Sequence, residues 1–199
     1  MGNVFFGGGK VGMKAPSVSR LPSGYTELAY IEGDGASYIN TGVCPTNNTK
    51  LEVYAEPNDA GNFYAATTAA ATRVGLYVID GGRIDMAFGT TGYKGSVLTG
   101  VSYPAVMTLE NGTLTASGVS ATFTTQSAFT MSYTLNLFAH GTSAVAGRLY
   151  YCKIYESGVL VRDFVPCISD TDGVGLFDLV ESKFYGNAGT GSFIGSEVA

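Results

Sequence analysis

The sequence predicts an all-β protein: a two-layer antiparallel β-sandwich over residues 21–199, led by an extended N-terminal arm over residues 1–20. Three observations carry the expectation. Strand-like runs recur about every ten residues, the spacing of a sandwich or barrel. Turn residues separate those runs, with 28 Gly in the chain. Aromatic and β-branched residues fill them, including 13 Tyr and 11 Phe, and such side chains suit a pleated, half-buried surface.

Taken in order, the first segment is the exception. "VFFGGGKVGMKAPSVS" has no helical period and too much Gly for a stable strand. Its apolar tip and glycines suit an arm that adds itself to a neighbour's sheet edge. Val4, Phe5, Phe6, Gly7, Gly8, Gly9 and Lys10 are the candidate anchor. From Leu21, "LPSGYTELAYIEGDGASYINTG" reads turn, strand, turn, strand, with Gly33-Asp34-Gly35 as a hairpin signal. "TKLEVYAEP" alternates Leu51, Val53 and Ala55 with Glu52, Tyr54 and Glu56, a strand with one wet face. "RVGLYVID" and "RIDMAFG" pair as a hairpin across Asp80-Gly81-Gly82. "AVMTLENGTLTAS" is the strongest hairpin, since Asn111-Gly112 suits a type I′ turn. "VSATFTT", "YTLNLFAHG", "GRLYYCKIYESG" and "VLVRDFVPC" continue the series. "GLFDLVESKF" comes nearest to a helical turn, through Leu176, Leu179 and Val180, but its Gly and β-branched neighbours favour a short strand.

Alternation in "VLVRDFVP" places Leu160, Arg162 and Phe164 on one face and Val161, Asp163 and Val165 on the other. Arg162 and Asp163 therefore need separate partners. Asp178 and Glu181 are the candidates for Arg162, and Arg148 or Lys153 for Asp163. Pro166, with no N–H to donate, ends the ladder, and Gly173 and Gly175 let the chain turn back. "KFYGNAGTG" follows as a Gly-rich terminal strap. The C-terminal block thus closes the sandwich where first and last strands meet.

Composition excludes several function classes. A chain of 199 residues can bury a core without staples. Charged residues make up 14%, against about 25% in an average domain, so part of the outer surface is expected to be covered. Net charge is -5, and the 11 Lys and Arg form no basic run, which argues against a nucleic-acid groove. No apolar run reaches the roughly 18 residues of a membrane span. The first residues lack the apolar stretch of a signal peptide and the Ser or Thr of a myristoylation signal, so synthesis and folding in a cytoplasm are expected. Cys44, Cys152 and Cys167 are odd in number and widely spaced, which suits free buried thiols. A Cys152–Cys167 bridge would need two adjacent strands to align them.

The blocks "LVRDFVPC", "GVGLFDLV" and "KFYGNAGTGSF", with "LPSGYTELAYIEGDGASYINTG" at the front, resemble the concanavalin A-like lectin/glucanase sandwich, of the laminin-G-like kind, found in bacteriophage and prophage proteins. The resemblance covers about residues 21–195 and leaves the arm outside. It implies a jelly-roll sandwich and a virion structural protein, a capsid decoration or a tail or fibre component. The arm, outside the resemblance, is then expected to hold the protein to other virion proteins, with copies forming a homo-oligomer in the particle and synthesis in the bacterial host. The fold itself hosts lectins, hydrolases and structural modules alike.

Hydrolysis needs two carboxylates across the scissile bond. "RIDMAFG" offers Asp85 alone, and "LEVYAEPND" offers Glu52 and Glu56 on one face with no acid between them. A Ser-His-Asp site would have to use His140, the one histidine, and no nucleophile elbow accompanies it. Zinc lacks ligand spacing, and "GGGK" lacks the context of a phosphate loop. The chain therefore reads as a non-enzyme with no cofactor. Calcium takes several oxygen ligands, and Asp170 with Asp172, Asn58 with Asp59 and Asn62, and Asp34 are candidates that equally read as turns. Sugar binding needs aromatic faces beside polar groups. The chain has no Trp, so Tyr64, Tyr77, Tyr93 and Tyr103 are the candidate glycan-binding residues. The plainer alternative has them packing the sandwich with their hydroxyls at its rim. The resulting expectation is a virion structural protein that displays a lectin-like sandwich. A dedicated adhesin or receptor-binding protein is the alternative, and the missing acid pair disfavours a glycan hydrolase.

Overall fold

The computed structural model of the chain describes residues 20–57, 63–68, 72–79, 81–89, 98–122, 128–141 and 143–197. Among them every regular element is a strand. β1 (Tyr25–Asp34), β2 (Ile39–Asn40), β3 (Thr49–Glu56), β4 (Phe63–Thr68), β5 (Arg73–Ile79) and β6 (Arg83–Gly89) come first. β7 (Ala105–Glu110), β8 (Thr113–Ala116), β9 (Val119–Thr122), β10 (Asn136–Leu137), β11 (Ala139–His140) and β12 (Ser143–Ala144) follow. β13 (Ala146–Glu156), β14 (Val159–Ser169), β15 (Gly173–Asp178), β16 (Lys183–Tyr185) and β17 (Phe193–Glu197) complete the series.

The strands build two sheets. The larger has the order β16-β15-β14-β1-β13-β3-β7-β8-β9, with β17 beside β1. The smaller runs β12-β11-β4-β10-β2, and β5 and β6 extend it from β4. Ladders are antiparallel, and β11 meets β4 in parallel at Ala139 and Ala65. One core lies between the sheets. Ile31, Leu51, Val53, Leu149 and Ile154 enter it from the larger sheet, and Phe63, Leu76, Val78, Ile84 and Met86 from the smaller. Period-two patterning explains the arrangement. On β3, Leu51, Val53 and Ala55 are fully buried while Lys50, Glu52, Tyr54 and Glu56 stay half-buried outside. Burial of a Val or Leu side chain contributes about 1.5–3 kcal/mol.

Turn chemistry fixes the hairpins. Asn111 (φ 49°) and Gly112 (φ 70°) both take positive φ between β7 and β8, as a type I′ turn requires. β5 and β6 pair as the expected hairpin, with Ile79 opposite Arg83. Gly33-Asp34-Gly35, by contrast, is no hairpin. β1 belongs to the larger sheet and β2 pairs with β10 in the smaller. Asp34 makes the crossing possible by gathering backbone donors that no ladder satisfies: Oδ1 accepts the N–H of Ala36 and Ser37, each at 2.9 Å.

The closing seam also departs from simple alternation. β14 runs straight through Pro166, which pairs with Leu176 of β15. On the opposite edge, β14 pairs with β13 as far as Phe164 and with β1 only from Cys167. Pro166 falls in the gap where the neighbour changes, so its missing N–H breaks no ladder. Val161 is an extra residue in the β13–β14 register, between Leu160 and Arg162. This bulge breaks the alternation expected across Leu160, Arg162 and Phe164. "GLFDLVESKF" is strand, turn and strand, with Phe177 opposite Phe184. Among the described residues the first and last strands meet: β17 pairs with β1 from Leu28 to Gly33.

Candidate functional site

Tyr64 on β4 and Tyr77 on β5 are register partners, and Asp85 on β6 is the next partner in the row. Residues directly opposite share a face. Val74, Leu76 and Val78 take the core side of β5, so the row stands on the outer face of the smaller sheet. The Tyr64 and Tyr77 rings meet edge to face at 5.1 Å. β11 brings His140 beside them, its ring 5.6 Å from that of Tyr77. Ala139, its neighbour, is buried at its bridge to Ala65, so His140 turns outward.

The adjacent row is Ala66, Gly75 and Ala87. These small residues make a floor on which the Tyr77 ring lies. A Cβ at Gly75 would stand 2.9 Å from Tyr77 Oη and 2.7 Å from Ala66 Cβ, so only glycine admits the ring. The result is a cleft of about 170 Å³ lined by Tyr64, Arg73, Tyr77, Ile79, Asp85 and His140. Arg83 grips Asp85 at two points, Nε to Oδ1 at 2.9 Å and Nη2 to Oδ2 at 2.6 Å. Burial, and then the charge of Arg73, hold the His140 pKa below its ordinary 6.5, so the imidazole is neutral at neutral pH. Aromatic edges, a neutral imidazole and a carboxylate already engaged suit the binding of an uncharged ring better than proton transfer.

The other predicted residues have different tasks. The Tyr103 hydroxyl donates to Arg83 O at 2.9 Å, with Ile79 O at 3.3 Å, so it pins the β5–β6 hairpin. Asp172 Oδ2 accepts the hydroxyls of Ser169 (3.0 Å) and Thr171 (2.8 Å), and the Asp170 N–H donates to Gly24 O (3.0 Å). Asp34 Oδ2 accepts the Ser192 N–H at 2.7 Å, a latch between the two ends of the chain. Among the described residues no three His, Cys, Asp or Glu side chains gather as a metal site. Cys44 is exposed, Cys152 and Cys167 are buried, and all three are free thiols. Tyr93, Asn58, Asp59, Asn62, Asp80 and the anchor residues Val4, Phe5, Phe6, Gly7, Gly8, Gly9 and Lys10 lie outside the described residues.

Sequence reasoning missed a second aromatic surface, on the outer face of the larger sheet. Tyr150 is an extra residue in the β13–β3 register, so Tyr150 and Tyr151 both face outward between buried Leu149 and Cys152. Tyr30 lies 5.6 Å from Tyr150, which lies 4.5 Å from Tyr54, itself 5.7 Å from Tyr151. Arg148 covers Tyr30 at 5.0 Å and bonds Glu32 (2.7 Å) and Glu56 (3.2 Å). The one signal was the "YY" doublet, which interrupts the alternation. The Tyr150 hydroxyl donates to Glu56 Oε1 at 2.7 Å, so this cladding carries its charges already paired around Arg148. No protein-family model matches the chain, and neither a curated protein nor a solved structure matches it.

Proposed function

We propose that this chain is a non-catalytic, lectin-like sandwich of the concanavalin A-like, jelly-roll kind, carried on a bacteriophage particle, and that its cleft takes one sugar ring. A single observation carries the sugar reading: Tyr64, Tyr77 and His140 stand as three rings in edge contact above the floor of Ala66, Gly75 and Ala87. A cleft of about 170 Å³ lies below the roughly 300 Å³ of drug-sized sites, so it matches a single ring. Tyrosine surfaces receive sugar C–H patches, while Arg73 and Asp85 offer polar contacts. Asp85 is tied to Arg83 and is the one carboxylate among the described lining residues, so the acid pair of a hydrolase has no place here.

The particle role draws on the resemblance of the end blocks. Within the fold these blocks meet, since Asp34 bonds Ser192 and Tyr38 N–H donates to Asn187 Oδ1 at 3.1 Å. In this reading Val4 to Lys10 attach the sandwich to capsid or tail proteins, copies associate on the virion, and membrane and nucleic acid are not partners. The test is a glycan array with the full chain, with and without calcium. Saturable binding that falls at least tenfold in Tyr64→Ala and Tyr77→Ala supports the reading. A blank array, or binding indifferent to both substitutions, overturns the sugar site. Deletion of residues 1–20 should abolish joining to particles, and continued assembly would sink the anchor.

A further inference from the structure

We infer that Asn136 and His140 form the hydroxyl-reading end of this cleft, and that the ligand presents two adjacent uncharged hydroxyls there. The inference rests on the sugar-binding reading and narrows it. Asn136 sits on β10 opposite Ala66, one row from Tyr64 and Tyr77. Its neighbour Leu137 is in the core, so Asn136 shares the outer face with the cleft floor. Its Nδ2 donates to Gly141 O at 3.1 Å, which ties the amide to the residue that follows His140.

Two atoms at this spot are buried with no hydrogen-bond partner among the described residues: Asn136 Oδ1 and His140 Nε2. Unpaired buried polar atoms are uncommon and mark places where a water or a ligand group belongs. Their chemistry selects the group. An amide oxygen only accepts, and a neutral imidazole with its proton on Nδ1 accepts at Nε2. A carboxylate or sulfate would add acceptors to acceptors, whereas two sugar hydroxyls supply the two missing donors. Neither atom touches solvent, so the ligand reaches them only as side chains at this end of the cleft shift.

His140 is the one histidine in the chain, so its ring signals are unambiguous in NMR spectra. The full chain is titrated with glucose, galactose, mannose and their monodeoxy forms. The expected result is a His140 Nε2 shift with at least one parent sugar, and about tenfold weaker binding when one of the two hydroxyls is removed. Asn136→Ala and His140→Phe should bring that ratio to about one, while His140→Gln, which keeps an acceptor, should retain part of it. A ratio near one in the unaltered chain, a ratio that survives both substitutions, or tighter binding of glucuronic acid than of glucose overturns the inference and leaves the sugar reading standing. Absence of any shift with every sugar also overturns the inference, and the glycan array decides the sugar reading separately.

Discussion

Arg162 Nε stands 3.6 Å from Oδ2 of Asp178, a carboxylate with no exposed surface. The pair joins β14 to the end of β15 at the rim of the core. Asp178 Oδ1 accepts the N–H of Asp163 (2.8 Å) and of Val180 (3.0 Å). Arg162 Nη1 reaches Glu181 Oε1 at 2.6 Å, and Nε also donates to Thr41 O at 3.1 Å. One ionic pair thus fixes where the last strands turn and ties them to the loop after β2. Neither expected cation pairs with Asp163: Lys153 lies opposite it in register with its ammonium over the Tyr151 ring, and Arg148 goes to Glu32 and Glu56.

Asp178→Ala should destabilise the fold by about 3 kcal/mol, since it strands a largely buried guanidinium and two backbone donors. Asp178→Asn should cost less, because the amide oxygen still accepts both N–H bonds. Glu181→Ala, at the exposed end of the network, should cost under about 1 kcal/mol. Urea denaturation at neutral pH measures all three, and an inverted order would refute the ranking.

Asp34 links stability to pH. Burial alone would raise its pKa, but the N–H donors of Ser192, Ala36 and Ser37 outweigh burial and hold it below 3.8. A carboxyl with a depressed folded pKa contributes stability that is fully present above the unfolded value and fades as pH falls through the folded one. The urea midpoints of the native chain and Asp34→Ala should therefore differ most above pH 3.8 and converge in stronger acid. A gap that stays constant with pH would contradict the latch.

The tyrosine cladding should resist alkali. Burial first, and then the Glu56 contact, push the Tyr150 phenol well above its ordinary 10.0, and burial lifts Tyr151 to about 12. Ultraviolet titration should show a late-ionising group of tyrosines that shrinks by one in Tyr150→Phe. That substitution also removes the 2.7 Å bond to Glu56 Oε1 and should cost about 1 kcal/mol. Loss of an early-ionising tyrosine instead of a late one would place Tyr150 in solvent.

Thiol labelling separates the cysteines. Cys44 is exposed and should react in the native protein. Burial, with Glu27 second, raises Cys167 to about 12, and burial also raises the enclosed Cys152, so both should wait for denaturant. Rapid labelling of a second site in native buffer would show that one of these layers opens.

Gly75→Ala probes the cleft floor. Its methyl would crowd Ala66 Cβ and Tyr77 Oη, and overpacking of this kind costs roughly 1–3 kcal/mol. Sugar binding should fall with it, and full binding by a stable Gly75→Ala protein would mean that Tyr77 does not form the wall.

Local chemistry explains what was readable in the chain itself. Asn111-Gly112 announces its turn because both residues tolerate positive φ, and β3 announces its buried face because Leu51, Val53 and Ala55 alternate with polar neighbours. Arg162 had few acids within reach of the seam, so Asp178 and Glu181 could be named in advance. The two-layer, all-strand class follows from such periodicities, which depend on near neighbours only. Tertiary structure decided the rest. Gly33-Asp34-Gly35 looks like a hairpin, yet it crosses between sheets, because strand pairing depends on partners such as Leu149 and Leu137, more than 90 residues away. A single inserted residue at Tyr150 or Val161 reverses which side chains face out, and no local preference records it. Tyr64, Tyr77, Asn136 and His140 come from three separated stretches. Their convergence is a property of register, which forms only when distant strands pair.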